Sequence, residues 1–410
     1  MSTKSKIVHA GKRGDKVRSD CYIQIELIKS GGLKIDLMSK VDSMFGVSIR
    51  KQIKEMAVFF GLKHANILIE DAGALPFVIA ARFELVVKKL FPEIEKEFLP
   101  EFNRKNLYKT TKDRLRRSRL YLPGNEPKFY PNAGLHKPDG IILDLEDSVS
   151  PTEKEAAQVI VRNALRVIDF YGAERMVRIN QLPKGLDDLD FIVPHNVHVI
   201  LIPKVESAEQ IIQVEEKVNE LKKKHNIQNE IYFMPIIESA LGVIKSFEIA
   251  SASKYNCALA VGLEDYTADI GVERTNEGNE SIFARSMIIN AAKAAKIQAI
   301  DTVFSDVSDM EGLRNSVLEA KALGFEGKGC IHPRQIKIIN ETFLPNEKEI
   351  DKAKKIVLAF EEAESKGQGV VSLGSKMIDA PVVKRARRIV KLAEENYLLK
   401  TNWREGYSQS

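Results

Sequence analysis

The chain has 410 residues, of which 44% are hydrophobic and 29% are charged, a composition typical of soluble globular proteins. Its 62 lysines and arginines and 57 aspartates and glutamates leave a formal net charge of +5, too small to indicate nucleic-acid binding by itself. No apolar run is long enough for a membrane-spanning helix, and the N-terminus lacks the apolar core of a secretory signal. The 3 cysteines are too scattered for a disulfide framework. We therefore expect a cytoplasmic protein that binds neither nucleic acid nor membranes.

Residues 1–92 predict a small α+β domain. Alternating apolar residues indicate strands, and apolar residues at helical spacing that end near a glycine indicate helices. The expected strands are 21–27, 33–39 and 65–73, and the expected helices are 47–61 and 75–90.

A charged, proline-containing stretch at 93–115 predicts a linker, and the pattern then changes to short apolar runs that alternate with helical segments. Eight such runs favour a (β/α)8 TIM barrel over an open doubly wound sheet, and we expect this barrel at 116–345. Residues 346–410 predict a helical C-terminal extension. The expected barrel strands are 119–123, 140–147, 176–180, 199–204, 231–239, 258–262, 297–304 and 327–333.

Charged and polar side chains follow several of these strands at their carboxyl ends, where a barrel of this type has its active site. Each one alone is as well explained as a loop residue or a helix cap. Together they indicate a site, because charges at the ends of apolar strands are costly unless they face a wet cavity or a metal. The set is Asp144, Glu146, Asp147, Arg178, Asn180, Lys204, Glu206, Glu238, Glu264 and Asp265.

Glu238 and Asp265, at the ends of the fifth and sixth expected strands, are the best pair of metal ligands. Carboxylates with few histidines or cysteines nearby suit a hard divalent cation such as Mg²⁺, which keeps waters and leaves room for substrate oxygens. Arg178 is a candidate for binding a substrate carboxylate through two hydrogen bonds. Candidates for contacting the substrate or orienting these groups are Glu146, Asp147, Asn180, Lys204 and Glu264.

Eight motifs run in order along residues 116–395. They are RRSRLYLPGNEP (116–127), ILDLEDSVSPTEKEAA (142–157), VRIN (177–180), LIPKVESAEQ (201–210), PIIESALGV (235–243), VGLEDYTADIG (261–271), GKGCIHPRQI (327–336) and MIDAPVVKRA (377–386). Together they resemble the β subunit of citrate lyase and its relatives in the HpcH/HpaI aldolase group, the malyl-CoA, citramalyl-CoA and citryl-thioester lyases.

The resemblance implies an enzyme, a carbon–carbon lyase with a (β/α)8 barrel that binds Mg²⁺ and a CoA thioester. It implies metal ligands at Glu238 and Asp265, an active-site arginine at Arg178, and a C-terminal lid whose Asp379 reaches a neighbouring subunit. We therefore expect a homo-oligomer, a trimer or a hexamer. The expected reaction is retro-Claisen cleavage of a 3-hydroxy-3-carboxyacyl thioester to an acetyl thioester and a 2-oxo acid, with Asp379 as the candidate for proton transfer.

Residues 30–90, and most clearly EDAGALPFVIAAR at 70–82, resemble the γ subunit of citrate lyase, an acyl carrier protein. The resemblance implies a phosphoribosyl-dephospho-CoA arm on the first serine of a Glu-Ser-Ser-Asp pattern. This chain reads Val-Arg-Ser-Asp at 17–20, so Arg18 stands at the acceptor position. Either Ser19 has taken over the attachment, or the domain is no longer a carrier.

A domain that is no longer a carrier has other roles open to it. It could pack on the barrel, mediate assembly, or bind a free CoA thioester through Lys12, Arg13, Lys16 and Arg18; otherwise these charges belong to a solvated, disordered tail. The alternative function for the whole chain is a non-catalytic carrier and scaffold subunit of a larger lyase complex that also contains a transferase subunit.

Two further signals favour structural roles. His195 and His198 lack nearby partners for a metal site, so we expect them at a loop and a strand start. Cys330 and His332 share a strand face, but nothing in the sequence activates the thiol, so Cys330 is expected to be a small buried apolar residue.

Overall fold

The computed structural model describes residues 6–365, 367, 371–373 and 376–404. The chain folds into two compact units, residues 1–339 and 340–410. Within the described residues, no helix has the length and apolar character needed to cross a membrane.

The first unit begins with a four-stranded sheet that packs with two helices. The elements are β1 (Ile7–Gly11), β2 (Cys21–Leu27), β3 (Leu33–Ser39), α1 (Asp42–Phe59), β4 (Ala65–Asp71) and α2 (Pro76–Leu90). The order is β1-β2-β4-β3, and only β3 and β4 are parallel. The three predicted strands and two predicted helices of this small α+β domain are confirmed.

Strand β1, followed by the contact of Lys12 with Asn125, counts against a disordered N-terminal tail, one of the alternatives left open for this segment. Residues 7–11 pair with β2 in antiparallel register, from Ile7 opposite Glu26 to Gly11 opposite Tyr22. Gly11 allows the two strands to approach closely, because a Cβ at this position would lie 1.9 Å from the carbonyl oxygen of Cys21. A short strand flanked by charges has little periodicity of its own, so its partner strand determines its conformation.

The rest of the first unit is a closed barrel of eight parallel strands, in the order β10-β11-β12-β5-β6-β7-β8-β9. This confirms the predicted (β/α)8 barrel. The strands are β5 (Ser118–Pro123), β6 (Gly140–Asp144), β7 (Glu174–Arg178), β8 (Val199–Ile202), β9 (Tyr232–Ile237), β10 (Ala258–Val261), β11 (Gln298–Asp301) and β12 (Gly327–Cys330). Each lies within or overlaps a predicted run, and the charged ends of those runs form the loops after the strands.

Helices follow the barrel strands and cover them. They are α3 (Lys154–Val167), α4 (Gly185–Ile192), α5 (Ala208–Lys224), α6 (Ala240–Ile244), α7 (Ser246–Ser251), α8 (Leu263–Asp269), α9 (Ile282–Ala294), α10 (Met310–Leu323) and α11 (Pro333–Phe343). Local side-chain contacts fix where such a helix begins: α5 begins with a capping box in which Ser207 and Gln210 satisfy each other's backbone N–H groups.

The interior of the barrel is apolar, and Ile142, Met176, Leu201 and Ile300 belong to one buried cluster there.

The second unit contains α12 (Glu347–Ser365), a hairpin of β13 (Val371–Leu373) and β14 (Lys376–Ile378), and α13 (Ala380–Glu395). Ile356, Val357, Phe360, Val383 and Val390 form its buried core. Asp379 caps α13, because its Oδ1 accepts a hydrogen bond of 3.3 Å from the backbone N–H of Val382.

Candidate active site

Arg178, the last residue of β7, is held by carboxylates at the carboxyl end of the barrel. Its Nε and Nη2 donate hydrogen bonds of 2.7 Å each to the two oxygens of Asp144, the residue beside it on β6. Its Nη1 lies 2.9 Å from Oε2 of Glu146. Burial alone would lower the pKa of Arg178, but the hydrogen bonds and charge of Asp144 outweigh burial and raise it. The guanidinium is therefore permanently charged and fixed in direction.

Lys204, just after β8, lies among three carboxylates. Its Nζ is 3.2 Å from Glu146, 3.6 Å from Asp147 and 3.7 Å from Asp265. Burial lowers its pKa, but these charges, led by Glu146, raise it overall. Lys204 has φ = 51°, an uncommon backbone conformation for a residue other than glycine, and such strain often accompanies functional sites.

Glu238, the residue after β9, is a buried carboxylate with an oxygen to spare. It is 5% exposed, and its Oε2 accepts no hydrogen bond from any residue that the structure describes. Burial, followed by the negative charge of Asp265, raises its pKa to about 8, although Arg178 opposes the shift. A buried carboxylate without partners is costly unless a cation or a ligand satisfies it.

Gly262, after β10, makes room for this side chain. A Cβ at Gly262 would lie 2.6 Å from Cγ of Glu238, closer than real Cβ contacts, and 3.0 Å from its Oε1. The same glycine precedes α8, whose first turn carries Asp265. The sequence Gly-Leu-Glu-Asp therefore brings one carboxylate to the site and leaves space for another.

The residues at this end fit a hard divalent cation. Asp265 has a side chain that is 47% exposed and is close enough to raise the pKa of the buried Glu238. Both offer oxygen atoms, and Oε2 of Glu238 lacks a protein partner among the described residues. Among the residues that the structure describes, no group of three or more histidine, cysteine, aspartate or glutamate side chains is arranged to hold a metal. A cation here would be held by two side chains and would complete its shell with water or substrate oxygens, as Mg²⁺ commonly does.

Two of the predicted site residues have their polar groups directed to other partners. The backbone N–H and the Nδ2 of Asn180 donate to Oδ2 of Asp188 at 2.6 and 2.8 Å, which ties the loop after β7 to α4. Glu264 is exposed and accepts a hydrogen bond of 2.5 Å from Nη1 of Arg274. The structure therefore brings Arg178, Lys204, Glu146, Asp147, Asp265 and Glu238 together, while Asn180 and Glu264 bond outside this group.

Two further residues contribute to the site and were not among those predicted from the sequence. Tyr121 of β5 lies beneath the guanidinium of Arg178, with its ring centre 5.4 Å from Cζ, a distance at which the ring attracts the cation. Gly262 is the other, and its signal was its place between a buried strand and an acidic helix start. Asp144, one of the polar residues expected at the strand ends, holds Arg178 through two hydrogen bonds.

The positions of His195, His198 and Cys330 in the structure agree with the structural roles expected for them. Both histidines are buried, and His198 lies at the amino end of β8, away from the carboxyl ends that carry the site. Burial, followed by neighbouring arginines, lowers the pKa of each histidine to about 3. Burial raises the pKa of Cys330 to about 12, which leaves its thiol protonated and unreactive.

Known proteins share this architecture. Residues 117–333 match the family model described as HpcH/HpaI aldolase/citrate lyase, and residues 9–90 match an acyl carrier protein model described as malonate decarboxylase delta subunit. The citrate lyase subunit beta of Leuconostoc mesenteroides subsp. cremoris is 41% identical over 290 residues, which cover 70% of this chain and 96% of that protein.

Two other similar proteins are named for the ligands that they bind or act on. The mitochondrial citramalyl-CoA lyase of Mus musculus is 33% identical over 291 residues, covering 68% of this chain and 86% of that protein. The crystal structure of CitE from Mycobacterium tuberculosis in complex with magnesium, acetoacetate and coenzyme A has a TM-score of 0.57 and 27% sequence identity. It covers 68% of this chain and 98% of that chain.

Proposed function

Since this chain belongs to the HpcH/HpaI aldolase/citrate lyase family, we propose that it uses Mg²⁺ to cleave a 3-hydroxy-3-carboxyacyl thioester into an acetyl thioester and a 2-oxo acid. Membership of this family makes the chain a lyase, in agreement with the sequence analysis. The thioester, the metal and the residues that act are the parts we propose. The citryl-, citramalyl- and malyl-CoA types are the substrate candidates.

One observation carries the proposal: the buried Glu238 lies at the barrel end that also presents Arg178, Lys204 and Asp265, and its Oε2 has no hydrogen-bond partner among the described residues. Paired carboxylates beside fixed positive charge suit a substrate that chelates a cation and also presents a carboxylate. A hydroxyl next to a carboxylate is such a chelating group. The citramalyl-CoA lyase relative and the magnesium, acetoacetate and coenzyme A in the CitE complex support the same substrate class.

Glu238 and Asp265 would hold Mg²⁺, which would supply Lewis-acid stabilisation of negative charge on substrate oxygens. Arg178 binds the substrate carboxylate, and Asp144 keeps the guanidinium in place while it does so. Lys204 adds positive charge where negative charge collects, and Glu146 and Asp147 hold its ammonium group. Asn180 supports the loop through Asp188.

The reaction begins when the substrate hydroxyl loses its proton to a base. The carbon–carbon bond then breaks and the 2-oxo acid leaves. The electron pair of the broken bond remains on the thioester, which becomes an enolate. We propose that Asp379, on the lid of a neighbouring subunit in a trimer or hexamer, transfers a proton to the enolate carbon. The product is an acetyl thioester.

The test is an assay of the full chain with Mg²⁺ and with a chelator against citryl-CoA, both citramalyl-CoA stereoisomers and malyl-CoA, in which acetyl-CoA formation is measured. We expect Mg²⁺-dependent cleavage of one of them, and loss of most activity in Glu238→Ala and Asp265→Ala. Glu273→Ala removes an exposed carboxylate elsewhere and serves as the matched control. If the two site variants cleave as fast as the parent protein, the proposed metal site is wrong.

The second candidate function is a carrier and scaffold subunit that works with a transferase subunit. The match of residues 9–90 to an acyl carrier model supports it. Ser19 is the proposed attachment point for a phosphoribosyl-dephospho-CoA arm; it is half-buried, and its N–H donates to the carbonyl of Ala72 at 3.0 Å. Intact mass spectrometry of protein from its native host tests this. Added mass of the size of that group supports a carrier, and its absence contradicts it.

A further inference from the structure

The N-terminal domain is fixed to the barrel of its own chain by buried polar contacts. Arg162 of α3 donates two hydrogen bonds of 2.8 Å to Glu84 of α2, and neither side chain has any exposed surface. Nδ2 of the neighbouring Asn163 donates to the carbonyl of Phe77 at 3.1 Å. A buried ion pair of this kind is costly to break, so α2 and α3 move as one body.

The loop between β1 and β2 lies at the carboxyl end of the barrel. Nζ of Lys12 donates to the carbonyl of Asn125 at 3.1 Å and also pairs with Glu126, both in the loop after β5. Further along the loop, Asp20 accepts hydrogen bonds of 3.0 and 2.7 Å from Arg82. Nη1 of Arg82 is in turn 3.5 Å from Glu153, in the segment between β6 and α3. The loop is therefore tied at both its ends to the side of the barrel that carries Arg178.

Two cations of this loop are available to a ligand. Lys12 pairs with Glu126, and Arg13 pairs with Glu70 and stacks on a tyrosine ring. Lys16 and Arg18 are exposed and have no hydrogen bond or ion pair with any residue that the structure describes. Asp15 is the exposed carboxylate between them and Arg13, so the loop keeps an excess of positive charge beyond its pairs.

We propose that Lys16 and Arg18 bind the phosphates of a free CoA thioester whose acyl end enters the barrel of the same chain, an inference that rests on the proposed function. When the thioester carbonyl lies beside Glu238 and Asp265, the nucleotide portion of CoA remains outside the carboxyl end of the barrel, where this loop is held. Phosphates are the groups that arginine and lysine bind best. The N-terminal domain then serves as a fixed wall of the substrate site, and Arg18 at the carrier position provides charge for binding where a carrier would have a covalent arm.

The experiment measures affinity for CoA, 3′-dephospho-CoA and pantetheine by calorimetry on the full chain. It compares Lys16→Ala/Arg18→Ala with a control of equal charge change, Lys34→Ala/Lys54→Ala. Lys34 lies on β3, at the opposite edge of the small sheet from β1, and Lys54 is exposed on α1. We expect about tenfold weaker CoA binding in the loop variant, an unchanged affinity for pantetheine, and no change in the control.

Equal CoA affinity in the parent protein and the loop variant overturns the inference, as does a loss that is as large for pantetheine as for CoA. No measurable binding of CoA to the parent protein also overturns it. The proposed lyase function is tested separately by cleavage. A protein whose CoA binding depends on Lys16 and Arg18 but which cleaves no thioester retains this phosphate site and contradicts the lyase proposal. A protein that cleaves thioesters but whose CoA binding does not depend on Lys16 and Arg18 supports the lyase proposal and contradicts this phosphate site.

Discussion

Asp144 and Arg178 lie opposite each other in the register of two neighbouring barrel strands and are joined by two hydrogen bonds of 2.7 Å. The pair is nearly buried, and Glu146 approaches the same guanidinium from the loop beyond. A cation that is held from behind by a fixed carboxylate keeps one direction without help from substrate.

Asp144→Asn removes the charge that orients Arg178 but nearly preserves the shape of the side chain. We expect kcat to fall about 100-fold, because the guanidinium loses its fixed direction. Asp190→Asn is the matched control, since Asp190 is half exposed and pairs with Lys217 at 3.2 Å, outside the site. Thioester cleavage and thermal unfolding are measured on both variants. Equal activities in the two variants would contradict an orienting role for Asp144.

Gly262→Ala places a methyl group against the side chain of Glu238. We expect thioester cleavage to fall about 100-fold, because Glu238 can no longer lie where it does. Adding Gly262→Ala to Glu238→Ala should cost little further activity, since the residue that the methyl group displaces has already been removed. Kinetics of the two single variants and the double variant check this. Additive losses would mean that the methyl group acts through some other contact.

Asp379→Ala and Glu238→Ala should each lose activity alone and regain part of it when their subunits are mixed. The proposed site takes its metal ligand from one chain and its proton-transfer group from another, so a mixed oligomer contains some complete sites. The measurement is cleavage activity after the two variants are dissociated and reassembled together. Reassembly of each variant with itself is the control. A mixture no more active than its components would place Asp379 in the site of its own chain, or in none.

The buried histidines predict acid sensitivity. The pKa of His198 in the folded protein is lowered to about 3. Its side chain therefore stays neutral in the folded protein at pH values where, with a pKa of about 6.5, it takes up a proton in the unfolded chain. Stability from this group is full above that unfolded value and is lost as the pH falls towards 3, by roughly 1 kcal/mol per pH unit.

His198→Gln removes this titration, so the gap in thermal midpoint between the parent protein and the variant should narrow or reverse from pH 7.5 to pH 5. His225→Gln changes an exposed histidine and serves as the control. A gap that stays constant with pH would show that protonation of His198 does not contribute to acid unfolding.

The sequence by itself determined the eight apolar runs of the barrel, the polar residues at their carboxyl ends and the motifs that identify the family. These are local properties: strand and helix formation follow the period of apolar residues, and a parallel barrel necessarily brings all its strand ends to one side. That is why the order of residues along the chain is enough to select Arg178, Lys204, Glu238 and Asp265.

The tertiary structure alone decided which of those side chains bond to one another. Asn180 bonds to Asp188 and Glu264 to Arg274. Lys12, for which a disordered tail was one of two expected settings, bonds to the loop after β5. Such choices depend on side-chain direction and on packing between residues far apart in the chain, and neither leaves a periodic trace in the sequence. The pairing of β1 with β2 and the docking of α2 on α3 have the same origin, because a buried contact stabilises both partners only after the chain has brought them together.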